Sequence, residues 1–204
     1  MIVHPVPYFS QWESSELVAK FVSGSLNAAE DPLWRDSGAP SAEDYAFWSR
    51  RLCGVACLRM ALRYWTGESL PAFQLAQECM EAGAYRVAGD KVHGLIYAPF
   101  ATYVKKRWGL PCASRPKFSL SEVRACIERG GLPLLSVHPS IRTPEVHPPH
   151  QGGHLVLGVG CDEQAIVLHN PSGLKGVSQE FFEIDWARFD TFYAGRGVEI
   201  GPVK

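Results

Sequence analysis

The sequence predicts an α+β fold whose helices and strands occupy separate halves of the chain. Three observations point there. Between about residues 42 and 129 the apolar residues recur at helical spacing, whereas from 132 onward they fall into short β-type runs bounded by turn residues. The segment CGVACLRMALRYW, from Cys53 to Trp65, is apolar nearly all round and broken mainly by Arg59 and Arg63, as expected of a helix at the centre of a domain. Helices first and strands after is the order of a fold with segregated halves.

Along the chain, residues 1–12 read as extended and Glu16 to Val22 as a short helix. Residues 23–42 are rich in Ser, Gly, Pro and Asp and read as a long loop. Helical character resumes at EDYAFWSRR and in the central segment, then at 70–82 and 94–108. Ser119 and Glu122 form a capping-box pattern that starts a helix through Arg129, and Gly130-Gly131 stops it. Strands follow at 132–138, 154–161, 165–170 and 177–184, with a last one near Thr191–Ile200. The 204 residues suit one domain, 1–204, with a lid-like insertion at about 13–48.

Composition narrows the function. The formal net charge is −1, so bulk electrostatics recruit neither nucleic acid nor an anionic membrane. No apolar run approaches the ~20 residues that span a bilayer. The N-terminal MIVHPVPYFSQW lacks the basic and apolar regions of a signal peptide, so a cytoplasmic location is expected. The 6 cysteines are dispersed and form no CxxC, which reads as free thiols with no structural zinc site. His138, His147, His150 and His154 crowd together, but the interleaved prolines resist the regular spacing of many zinc sites; no metal and no cofactor are expected.

Cys53 opens the central helix and is followed by Gly54. A helix N-terminus offers unpaired N–H groups and the positive end of the dipole, both of which favour thiolate, the reactive form of cysteine. Gly54 would let a substrate carbonyl approach the backbone, and the Cys53 N–H could then donate to a developing oxyanion. By position alone Cys53 could equally be one more core cysteine, the role that Cys57, one turn deeper, is expected to fill.

A reactive thiol needs a histidine, usually distant in sequence. His154 begins an apolar strand after Gln151-Gly152-Gly153, and Asn170 ends the next strand, in HNPSG. A hairpin tip centred on Asp162 sets the two directly opposite. A tip centred on Glu163 makes them diagonal but on one face, and one centred between residues puts them on opposite faces. On one face, the Asn170 amide oxygen would fix the His154 tautomer and leave the other ring nitrogen as a base. His169 points the other way in this reading. Each residue also has a plain structural alternative: His154 as a strand-end histidine, Asn170 as a turn former before Pro171.

Together, CGVACLRMAL, GGHLVLGVG and VLHNPSG resemble the bacteriocin-processing (double-glycine leader) peptidases and their stand-alone relatives, members of the papain-like cysteine peptidases. VPYFSQ is similar to the opening of the stand-alone members, and SLSEVRACIERGGLPLLSV to their helix and strand before the histidine. The resemblance implies a papain-like fold in which a buried nucleophile helix packs on a C-terminal antiparallel sheet. It implies Cys53 as nucleophile, His154 as base and Asn170 as orienter; in the mechanism expected from these residues, His154 and Cys53 form an imidazolium–thiolate pair. It further implies a glutamine in the oxyanion hole, matching Gln11, although roughly forty residues then loop out between Gln11 and Cys53. The implied activity is cysteine-dependent hydrolysis of an amide or peptide substrate through a thioester. Two alternatives share the frame: an inactive binding module, and an acyl transferase using the same thioester.

Overall fold

The computed structural model describes residues 1–89 and 91–202. The helices are α1 (Val18–Ser23), α2 (Ala42–Ser49), α3 (Cys53–Thr66), α4 (Ala72–Glu81), α5 (Tyr97–Trp108), α6 (Leu120–Glu128) and α7 (Trp186–Phe192). The strands are β1 (Ile2–Val3), β2 (Arg86–Ala88), β3 (Lys91–His93), β4 (Cys112–Arg115), β5 (Leu132–Val137), β6 (His154–Cys161), β7 (Ala165–His169), β8 (Phe182–Asp185) and β9 (Tyr193–Ile200). The described residues thus form an α+β fold, with helices gathered in the N-terminal part and an antiparallel sheet built mostly from the C-terminal part.

The main sheet runs β4-β9-β5-β6-β7-β8, with β1 added on β6. β6 is its pivot. Its first half pairs with β5 through Val137↔His154 to Leu134↔Leu157, its far end with β1 through Val3↔Gly160, and its other edge with β7. The strand is buried along its whole length, which explains why HLVLGVGC reads as a continuous apolar run.

One face of the sheet receives α3. Val55, Leu58, Met60 and Leu62 of that helix join Leu134, Leu157, Val159, Val167 and Val198 of the sheet in the largest apolar cluster. The opposite face packs Leu135, Val137, Val156, Ile166 and Leu168 against Ile127 of α6 and Phe189 and Phe192 of α7. The α3 termini follow from the sequence: no side chain caps the Leu52 end, and Gly67 takes the left-handed conformation at the other. Within α3, Arg59 is buried because it pairs with Glu13 at 3.0 Å and lies over the Phe9 ring.

The segment 13–48 folds on its own small cluster, Trp12, Val18, Phe21, Ala28 and Tyr45. Buried Asp31 pins it by accepting from the Ser14 N–H, the Ser14 hydroxyl, the Leu33 N–H and the Tyr45 hydroxyl.

The structure departs from the sequence reading in four places. The hairpin β2–β3 and the short strand β4 carry few apolar residues and gave no period-2 signal. Helix α7 fills the interval between the two last expected strands and takes in Thr191 and Phe192, so the final strand starts at Tyr193; its Asp185 cap accepts from the Arg188 N–H at 2.7 Å. The strand expected at 177–184 shortens to β8, because residues 177–181 close a loop in which Gln179 O accepts from the Asn170 N–H at 2.8 Å.

Candidate active site

Cys53 is the first residue of α3 and is half-buried. It lies between two adjoining cavities of about 310 and 240 Å³. Cys53, Gly94, Gly153 and His154 line both. Leu95, Tyr97, Ser136, Leu155 and Arg196 complete the larger lobe. The smaller adds Gln11, Arg50, Arg51, Tyr85 and Arg142, among others.

The β6–β7 hairpin sets the position of His154. At the tip Cys161 pairs with Ile166 and Gly160 with Val167. That register is centred between residues and, carried on unchanged, would place His154 and Asn170 on opposite faces. A bulge intervenes: Gly158 pairs with Leu168, leaving Val159 as an extra residue on β6. From there the register is the one centred on Glu163, with Leu157 opposite His169. Continued toward the site, it sets Ser172 opposite His154 and Asn170 diagonal to it.

The hydrogen bonds agree with that placement. His154 Nε2 lies 2.8 Å from Asn170 Oδ1 and 3.1 Å from Ser172 Oγ, and Asn170 Oδ1 also accepts from the Ser172 N–H at 3.1 Å. A carboxamide oxygen only accepts, so Nε2 carries the ring hydrogen and Nδ1 keeps its lone pair. Asn170 is fully buried, and its backbone carbonyl accepts from the Tyr8 hydroxyl at 3.0 Å. Gly152 and Gly153 precede the histidine at φ of 83° and 102°, a conformation that favours glycine and turns the chain into β6. His169 faces away: its Nε2 donates to Val6 O at 2.8 Å, and its Nδ1 accepts from the Phe181 N–H at 3.0 Å.

Gln11 reaches the cleft despite its distance in sequence. The N-terminal segment is tied to the loop after β7, with the Gln11 N–H donating to Pro171 O at 2.9 Å and the Ser10 hydroxyl to the same oxygen at 3.0 Å. The intervening residues loop out and return through α2, where Ser49 O accepts from Gln11 Nε2 at 2.9 Å. An amide nitrogen has two hydrogens, and this bond uses one. No residue of 13–48 lines either lobe. The walls come instead from the segment after β3, the turn near Pro139–Arg142 and the strand ends.

Two sequence expectations need correction here. The space beside Gly54 is not open to a substrate: a Cβ there would meet Leu95 Cδ2 at 2.9 Å and Leu155 Cδ1 at 3.0 Å, so the glycine admits side-chain packing. The resting charges also differ from an imidazolium–thiolate pair. Burial, then the Arg142 charge, push His154 down to about 3, against a smaller upward pull from the Asn170 bond. Burial raises the Cys53 thiol, opposed by the Leu155 and Gly54 backbone and by Arg142. Both shifts favour neutral thiol beside neutral imidazole. Cys57 is fully buried, and burial lifts its thiol well above the ordinary range.

Sequence reasoning missed two residues of this site. Ser172 read only as part of a turn. Arg142 sits in a Pro-rich stretch without periodicity; its Nε donates to Ser172 O and Oγ, both at 2.9 Å. The histidine-rich run disperses: His138 stacks edge-on with His150 at 4.5 Å, His147 lies against Arg188, and His154 faces Asn170. Among the described residues no group of three His, Cys, Asp or Glu side chains converges to hold a metal ion. Nor, among those residues, is any helix long and apolar enough to cross a membrane.

A buried helix with a cysteine at its N-terminus, packed on an antiparallel sheet that presents a histidine bonded to an asparagine, defines a relative of the papain-like cysteine peptidase superfamily. Residues 4–194 match the Peptidase_C39 like family, and the chain belongs to it. Its fold is similar to a solved structure from Bacillus anthracis described as a C39-like peptidase, at TM-score 0.54 and 16% identity, covering 74% of this chain and 88% of that one. No curated protein matches at a significant level.

Proposed function

We propose that the protein is a cysteine-dependent hydrolase that cleaves an amide or peptide bond through a thioester. The observation that carries this reading is the 2.8 Å bond between His154 and Asn170, on a cleft whose walls also hold Cys53 and Gln11. The family supports a peptide substrate.

His154 Nδ1 takes the Cys53 proton as Sγ attacks the acyl carbon. Generating the ion pair only at this moment fits the neutral resting state. The Cys53 N–H and the remaining Gln11 amide hydrogen donate to the oxyanion, a contribution of about 3 kcal/mol per donor. The C–N bond breaks as His154 returns the proton to the leaving amine. Water then gives a proton to His154 and attacks the thioester, which releases the acid and restores the thiol. Asn170 acts through the imidazole by holding its tautomer and plane.

Iodoacetamide labelling followed by peptide mapping tests the assignment. Cys53 should be alkylated ahead of Cys57, and Cys53→Ala should abolish turnover of a randomised peptide library. Preferential labelling of Cys57 overturns the choice of nucleophile. A folded wild type that leaves every such library uncleaved favours a binding module on the same frame.

A further inference from the structure

The cleft is strongly one-signed. Arg50, Arg51 and Arg142 line the lobe that holds Gln11, and Arg196 lines the other. No carboxylate lines either lobe among the described residues. The chain as a whole carries 20 basic and 21 acidic residues, so this bias is local and does not follow from composition. Of the nine arginines outside the cleft, five pair with carboxylates among the described residues: Arg59 with Glu13, Arg107 with Glu78, Arg115 with Glu122 and Glu199, Arg124 with Glu128, and Arg129 with Glu199. Among the described residues, none of the four cleft arginines has such a partner.

Arg142 is the sharpest case. It is half-buried, and its side-chain hydrogen bonds leave from Nε to Ser172. That anchor fixes the plane of the guanidinium while the two terminal nitrogens retain their hydrogens. Sequestering a guanidinium with no counter-charge costs free energy unless something else supplies the charge. A planar fork held from behind, at the edge of a cleft, is suited to a bidentate carboxylate. Arg51 is partly used, donating to Phe47 O and lying over the Phe47 ring, whereas Arg50 is exposed.

Resting on the hydrolase reading above, we infer that the substrate is anionic, and that a carboxylate close to the scissile bond docks on Arg142, with Arg50 and Arg51 reinforcing it. The carboxylate comes either from an acidic side chain or from the free C-terminus of a short peptide. Arg196, whose Nη2 lies 3.1 Å from where a Cβ on Gly152 would sit, extends the positive surface into the second lobe.

The test separates this inference from the hydrolase reading by measuring binding to the Cys53→Ala protein. Three fluorescein-labelled randomised hexapeptide libraries serve as probes. One has a fixed central Glu and an amidated C-terminus, one a fixed Gln and an amidated C-terminus, and one a fixed Gln and a free C-terminal carboxylate. By anisotropy, the first or third should bind at least tenfold more tightly than the second; a win for the first assigns the carboxylate to a side chain, for the third to a terminus. The preference should collapse in 0.5 M NaCl and in R142Q combined with R50Q, while R50Q alone, an exposed change with little bearing on folding, should lower it in part. Equal affinity for all three libraries overturns the inference. So does a loss in R142Q that is the same for every library, since Arg142 would then act on the site and not on the ligand. Retained preference together with uncleaved libraries in the wild type sinks the hydrolase reading alone.

Discussion

The burial of His154 as a neutral ring makes the protein's stability depend on pH in a way that can be calculated. In the unfolded chain the imidazole titrates near 6.5; in the fold it is held down to about 3. Between those values the unfolded chain binds a proton that the folded chain does not, so stability rises with pH. The contribution is fully present above 6.5 and is lost as pH falls toward 3. At pH 4.5 the unfolded form has gained about two pKa units of protonation free energy and the folded form almost none, a loss of about 2.7 kcal/mol relative to neutral pH. Urea unfolding of wild type and His154→Gln at pH 7.5 and 4.5 isolates this quantity. His169, also pushed down by burial, remains in both proteins and cancels. The fall in unfolding free energy between the two pH values should be smaller in the variant by about 2.7 kcal/mol. If the two proteins lose stability in parallel, the histidine is not buried neutral and the mechanism's resting state is wrong.

Other expectations follow from the same contacts. The acid limb of kcat/KM should lie well below pH 6.5, because the base stays deprotonated there; a pH–rate profile breaking near 6.5 contradicts it. Asn170→Ala should reduce kcat less than His154→Ala does, since orientation is lost and the base is not; steady-state kinetics on one substrate decide it. Gly160→Ala places a Cβ 2.5 Å from the Ile2 carbonyl, so β1 must move. That change should cost about 1–3 kcal/mol and open the N-terminus to limited proteolysis. Glu13→Gln leaves the Arg59 charge buried without its partner and should cost about 3–5 kcal/mol in denaturant unfolding.

Much of this was legible in the sequence where one residue type reports one physical constraint. The all-round apolar stretch after Cys53 could only be a buried helix, and the Ser119–Glu122 box marked a helix start that the structure reproduces. His154 and Asn170 were legible as a pair because strand periodicity limits which residues can meet. The exact register was not: three tips were consistent with the sequence, and the fold combines the last two through the Val159 bulge. Gln11 could be linked to Cys53 only by the resemblance of its segment, since nothing local reveals that a chain returns after forty residues. Arg142 and Ser172 were invisible because neither lies on a periodic element. Their meeting depends on how the turn at Pro139–Arg142 folds over the loop after β7.

The extra residue on β6 has a consequence for how this hairpin can change length. It lies roughly 15 Å along the strand from His154, far from any substrate. Yet it decides the odd-or-even phase of everything that follows. Loss of a single amino acid between the tip and Gly158 is absorbed by flattening the bulge, which leaves Gly158 opposite Leu168 and the imidazole on its side of the sheet, whereas loss of a second would swing it to the wrong side unless β7 lost one as well. Relatives that keep both side chains in place can therefore drop one residue from β6 alone, together with the bulge, whereas further changes in length should come in coupled steps, one on each arm.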